Sequence, residues 1–397
     1  MCSDIYITGI GVISAIGNNV EQCLQSLLAE KSGIAKSNYL ETVHRDEFLL
    51  GEVKLSNDEL YESLGIAVSL RKHYTRTALL GLTAAKEAIV SASIDTADGL
   101  RTALVSSTTV GGMDRTELCF GRENAGTDYI YTHPCGDSTD KIADFLHIND
   151  YRTTLSTACS SGANALMHGA KLIKHGIVDR AVVGGVDALS RFTLNGFNSL
   201  MILDKEFCRP FDESRAGLNL GEGAGFVVLE SLASVQKTNK KVLCRLTGYA
   251  NANDAYHQTA SSPEGEGAYL AMKKSLDMSG LSLSSIDYIN VHGTGTPNND
   301  LSEGTAMKRI FGDNVPPFSS TKSFTGHTLA GSAGVEAVFS VMAIVNNVIY
   351  PNLNFKTPIS DLGLTPQLRV KTNVPVNNVL SNSFGFGGNN STVIFSK

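Results

Sequence analysis

Cys159, His292, His327 and Lys322 are residue types from which nucleophilic catalysis is built: a thiol to attack, two imidazoles to donate or accept hydrogen bonds, and a cation among them. Each stands among small residues. Cys159 follows a β-branched run over 151–157 that predicts a buried strand, and Ala163, Leu166, Met167, Ala170 and Ile173 then recur at helical spacing. The thiol therefore belongs at a strand-to-helix turn. Ala158, Ser160, Ser161 and Gly162 let a ligand approach the backbone there and leave the first helical amides free as donors. The helix N-terminus favours negative charge and so is expected to lower the thiol's pKa.

The histidines lie in Val291-His292-Gly293-Thr294-Gly295-Thr296-Pro297 and in Lys322-Ser323-Phe324-Thr325-Gly326-His327-Thr328. A Cys with two His could also ligate a metal. No short paired-ligand spacing supports that, and no metal is expected. His44, His73, His133, His147, His168 and His175 carry no such surroundings and read as ordinary core or surface residues.

With Asn382-Ser383-Phe384-Gly385-Phe386-Gly387-Gly388-Asn389 these segments resemble the β-ketoacyl-[acyl-carrier-protein] synthases, the condensing enzymes of fatty-acid and polyketide synthesis. Cys208-Arg209-Pro210-Phe211-Asp212, Gly221-Glu222-Gly223-Ala224-Gly225 and Asp254-Ala255-Tyr256-His257 extend the resemblance over nearly the whole chain. It implies an α/β chain with the duplicated thiolase-like fold, layered α-β-α-β-α in two pseudo-symmetric halves. It also implies decarboxylative condensation of an acyl group held on Cys159 with a malonyl thioester. In that chemistry His292 and His327 donate hydrogen bonds to the enolate, and the amides of Cys159 and Phe386 form an oxyanion hole. Lys322 pairs with Glu303 to orient His327, with Asp300 a lesser candidate. Thr294 and Thr296 contact a phosphopantetheine arm; Val110, Leu218 and Phe386 shape the acyl pocket, with Phe386 as its gate. His257 lies within a family motif without a role. Substrates arrive on acyl carrier protein and no separate cofactor is needed. The partner subunit is a second copy or a homologous chain.

Two departures from the family bear on substrate. Position 218 is Leu where an aromatic is usual, and the segment from Asp150 lacks the usual Gly-Pro. Less aromatic bulk predicts a pocket for unusual chains, polyunsaturated or aryl-primed. Two other readings use the same fold. A thiolase needs a second cysteine near the C-terminus, whereas the last here is Cys244; a chain-length subunit usually lacks the nucleophile, whereas Cys159 is present. A cysteine hydrolase would leave two histidines and Lys322 without a task.

The elements that must hold these residues are legible as two similar series. A strand over 4–14, a helix over 74–92, a strand over 101–107, the Cys159 unit, and strands over 180–186 and 225–230 make the first half, 1–240. In the second, 241–397, strands over 242–251, 286–292, 317–326 and 390–395 and a helix over 328–345 repeat the pattern. The stretch 113–138 shows no regular period, and the run 236–241 reads as a solvated turn. Packed about a pseudo-twofold, such halves would bring Cys159 and His327 to one centre at the strand ends.

The net charge of −6 argues against a nucleic-acid binder, and Arg71, Lys72 and Arg76 are the candidate dock for an acidic carrier protein. Seven scattered cysteines without a C-x-x-C pair indicate a reducing compartment. No signal peptide or bilayer-spanning stretch is expected, which places the protein in the cytoplasm.

Overall fold

The computed structural model describes residues 4–122 and 126–397. Cys2 and the first residues, on which the signal-peptide reading bears, lie outside the described residues. In chain order the strands are β1 Ile5–Ser14, β2 Thr102–Ser107, β3 Tyr151–Leu155, β4 Arg180–Asp187, β5 Gly223–Ser231, β6 Cys244–Asn253, β7 Tyr288–Asn290, β8 Phe318–Ser319, β9 Val348–Ile349, β10 Lys371–Thr372, β11 Asn378–Gly385 and β12 Asn389–Ser396. All but β9 and β10, which pair with each other, join in the order β3-β2-β4-β5-β1-β6-β12-β11-β7-β8. Read outward from the middle, each half runs the same course. β1 and β6 pair antiparallel with β5 and β12, these pair antiparallel with β4 and β11, and two parallel strands follow on each side. Within the sheet the two halves are joined by the short pairing of Ile5, Tyr6 and Ile7 with Leu246, Arg245 and Cys244.

Side chains alternate across each strand, so successive residues feed different cores. Val183, Val227, Leu229, Val379, Val393 and Phe395 pack between the halves with Leu166, Val338 and Phe339. Their neighbours Val182 and Val228 face outward onto Leu79 and Leu80, while Leu380 and Ile394 face outward onto Met272 and Met307. The result is five layers: helix 76–91, the first five strands, the central helices 161–174 and 332–346, the second five strands, and helices 266–279 and 297–311. This is the duplicated thiolase-like arrangement implied by the resemblance.

The centre is packed tightly. A Cβ on Gly225 of β5 would lie 2.3 Å from the Gly334 carbonyl carbon, and one on Gly334 would lie 2.3 Å from the Gly225 oxygen. Helix 332–346 thus rests backbone to backbone on β5.

Several expectations are corrected. The stretch 113–138 contains helices Met113–Cys119 and Tyr129–Thr132 and the start of Cys135–Phe145. Short, half-exposed amphipathic segments give too few repeats for a period to emerge. The strand expected over 317–326 is only Phe318–Ser319, and Lys322 stands on a single helical turn, Lys322–Thr325. Segment 329–346 is long and apolar enough to cross a membrane, contrary to expectation, but it is almost wholly buried and is a core helix. The run 236–241 begins inside a helix, Leu232–Thr238, and then turns.

Candidate active site

Strand β3 delivers Cys159 through a turn in which Ala158 takes a left-handed conformation, φ 52°, a strained state for a residue with a Cβ. The turn is held from both sides. Ser161 Oγ accepts from the Thr157 amide at 2.8 Å and donates to the Ala158 carbonyl at 2.6 Å. Helix 161–174 starts immediately after.

The Cys159 sulfur lies 3.1 Å from His327 Nε2. The two imidazole rings meet edge to face, centroids 5.3 Å apart at 85°. Cys159, His292, His327, Leu218, Thr294, Thr296 and Phe386 all line one cavity of about 350 Å³. Residues 168 positions apart thereby share one chamber.

Hydrogen bonds determine which nitrogen of each ring carries the proton. His327 Nδ1 accepts from the Leu329 amide at 3.3 Å and sits 2.8 Å from Ser332 Oγ. His292 Nδ1 faces the Lys322 ammonium at 3.3 Å. With Nδ1 an acceptor in both, each neutral ring carries its hydrogen on Nε2. Burial, followed by the Lys322 charge, holds both histidines well below their ordinary pKa, so both are neutral.

Lys322 departs from expectation in its partner. Its ammonium donates to the His292 carbonyl at 2.8 Å and forms its ion pair with Glu336, both side chains 2% exposed. Glu303 is occupied elsewhere: its carboxylate accepts the amides of His292 and Gly293, each at 2.8 Å, and Asn382 Nδ2 at 3.0 Å. Asp300, one turn earlier on the same helix, accepts the Gly295 and Phe211 amides. These two acids fasten the His292 loop, whereas Ser332 holds His327. Glu336 was detectable in principle, as the single carboxylate in an otherwise apolar helix, where a buried charge demands a partner.

The thiol also departs from expectation. Burial pushes Cys159 up to about 11, outweighing Lys322 and the Phe386 amide, which act in the opposite direction. Desolvation therefore exceeds the helix-terminus effect. The Phe386 and Cys159 amides both act on the sulfur, as paired donors would.

Phe386 stacks on Phe197, centroids 5.9 Å apart at 20°. Thr294 and Thr296 place their hydroxyls 2.9 Å apart on the cavity wall. Val110 is not on that wall; it packs against the cluster formed by Leu189, Leu194, Leu218, Leu329 and their neighbours, of which Leu218 reaches the cavity. Arg76 is no docking residue: it is buried and grips Glu222 at 2.6 Å. Arg71 pairs with Asp58 at 3.2 Å, and only Lys72, 3.9 Å from Asp128, keeps an exposed charge. His257 caps a turn, accepting the Thr259 and Ala260 amides at 3.2 Å.

The three candidate ligand atoms of Cys159, His292 and His327 lie within 4.8 Å of one another. A metal dication there would sit beside the Lys322 ammonium, 3.3 Å from His292 Nδ1, and like charges in a buried site repel strongly.

Comparison with known proteins agrees with this geometry. Residues 3–234 match the beta-ketoacyl synthase N-terminal domain and residues 243–356 its C-terminal domain. The chain is 32% identical to 3-oxoacyl-[acyl-carrier-protein] synthase 2 of Staphylococcus aureus (strain N315), over 99% of this chain and 98% of that one. Among solved structures, the ishigamide ketosynthase/chain length factor superposes with a TM-score of 0.92 at 30% identity, covering 100% of both chains. A ketosynthase in complex with its chain length factor from Xenorhabdus doucetiae gives 0.85 at 30% identity, covering 99% and 98%. From its first strand to its last, this chain belongs to the β-ketoacyl synthase family.

Proposed function

We propose that the protein is a β-ketoacyl-[acyl-carrier-protein] synthase that condenses an acyl group held on Cys159 with malonyl-[acyl-carrier-protein]. The observation that carries this is the chamber in which one thiol meets two neutral, Nε2-protonated imidazoles, with Cys159 3.1 Å from His327. The sulfur attacks the incoming thioester carbonyl, and the departing carrier thiol takes the proton that Cys159 gives up. Acylation leaves the net charge of the site unchanged. Malonyl thioester then loses carbon dioxide; the electron pair of the broken carbon–carbon bond forms an enolate whose oxygen accepts hydrogen bonds from the two Nε2–H groups. The enolate carbon attacks the Cys159 thioester, the resulting oxyanion faces the Cys159 and Phe386 amides, and collapse expels the sulfur as a thiolate, which takes one proton from solvent to restore the resting thiol. Neutral donors suit this sequence because they stabilise the enolate without protonating it.

Phe386 on Phe197 closes the acyl side, and Thr294 and Thr296 line the approach of the phosphopantetheine arm. No separate cofactor is needed. The functional halves are 1–240 and 241–397, the break falling in the turn after helix Leu232–Thr238. The assembly is a dimer, of two copies or with a homologous subunit, and two of the similar structures are ketosynthases with a chain length factor. Aliphatic Met201, Ile202 and Leu218 on the cavity wall favour polyunsaturated or aryl-primed chains. Six described cysteines are free, which suits the cytoplasm.

Intact-mass analysis of acyl carriers incubated with enzyme and malonyl carrier tests the proposal. Wild type is expected to return the two-carbon-longer β-ketoacyl carrier, and Cys159→Ala none. Free acid without carbon dioxide release would overturn it in favour of a hydrolase.

A further inference from the structure

Asp187, the last residue of β4, is fully buried and takes no part in the steps above. Its carboxylate nevertheless collects donors from two separate loops. From the turn after β2 it accepts Thr108 Oγ1 at 2.5 Å, the Thr109 amide at 3.0 Å, Thr109 Oγ1 at 2.6 Å and the Val110 amide at 3.2 Å. From the segment joining His327 to helix 332–346 it accepts the Ala330 amide at 2.8 Å. Val110 packs against the cluster that contains the cavity-wall residue Leu218, and Ala330 stands three residues beyond the imidazole that touches the nucleophile. Donors of this number saturate the lone pairs of a carboxylate, whereas an amide offers one acceptor oxygen and would turn its NH₂ against donors.

We infer that Asp187 is a positioning residue that fixes the acyl-side turn 108–110 and the His327 segment relative to each other, so that chain accommodation and histidine placement are set by one carboxylate. The inference rests on the condensing function proposed above. It adds that a residue touching neither substrate nor nucleophile controls both rate and product length. The charge also adds a smaller upward push to the Cys159 thiol, whose rise is set first by burial.

Two variants separate positioning from bulk stability. Asp187→Asn removes the charge and half of the acceptors; Thr109→Val removes one donor and leaves the charge. In Asp187→Asn, condensation is expected to fall by on the order of 10²-fold, the cost of a small misplacement of reacting groups. The spread of product lengths should widen, and iodoacetamide labelling of Cys159 should rise at lower pH than in wild type. Thr109→Val should widen the product spread without moving the labelling profile. Asp187→Asn protein that melts cooperatively with unchanged products and an unchanged profile overturns the inference. If that variant does not fold, Thr109→Val decides alone, and an unchanged product spread overturns the inference. The labelling readout needs no turnover, so it fails independently of the condensing function.

Discussion

Cys159 and Lys322 show how far burial rules the chemistry of single residues. A thiol raised to about 11 is almost wholly protonated at neutral pH, so its labelling by iodoacetamide should climb roughly tenfold per pH unit between about 7 and 10. A plateau near pH 7 would mean instead that the thiolate is stabilised at rest. Catalysis then depends on the sulfur ionising only as the substrate displaces water and brings its carbonyl to the amide pair. Lys322 and Glu336 form a pair with both side chains buried, and removing one partner leaves the other charge stranded. Lys322→Ala is expected to cost about 3–5 kcal/mol in a denaturant titration, while the double replacement Lys322→Met with Glu336→Leu costs less. Equal losses in the two would show that the pair itself, rather than the stranded carboxylate, matters.

Among elements, helix 332–346 has the most demanding seat. It lies against β5 through Gly225 and Gly334, and its first turn supplies Ser332 to His327. Gly225→Ala would drive a methyl into the Gly334 backbone at 2.3 Å, where no flexible side chain can give way. A loss of about 1–3 kcal/mol or more is expected, together with a drop in condensation as the His327 segment is pushed outward. Unchanged melting and activity in this variant would show that the helix can shift without moving the imidazole. On the opposite side, Asp300 and Glu303 share one face of helix 297–311 and secure the His292 loop, so each histidine has its own support.

At the scale of the molecule, the sheet ends in two unequal edges. β8 is only Phe318–Ser319, whereas β3 runs Tyr151–Leu155, is half-buried, and pairs with β2 on one side only. A longer unpaired edge is a template for another chain. Sedimentation at micromolar concentration should give a dimeric mass, and hydrogen exchange should show the β3 amides protected in the dimer. A monomer with fast-exchanging β3 amides would leave that edge without a partner.

What could be read from the residues alone was whatever is local and periodic. The duplicated series of strands, the turn at Cys159 and the motifs around His292 and His327 were all visible, because strand and helix periods and small-residue turns are written in neighbouring positions. Helix 76–91 and strand β4 appear within about two residues of their expected bounds. The family resemblance then supplied roles for residues whose contacts no period can reveal. Only the tertiary structure decided that Lys322 pairs with Glu336 instead of Glu303, that Arg76 is buried on Glu222, that Val110 packs against the Leu218 cluster without lining the cavity, and that the thiol is raised instead of lowered. Each of these depends on which side chains from distant segments share a dry space, and on how much water is removed there. Pairing and desolvation are properties of the packed chain: a lone carboxylate in an apolar helix, as at Glu336, signals that a partner is needed, but the spacing of residues does not say which one.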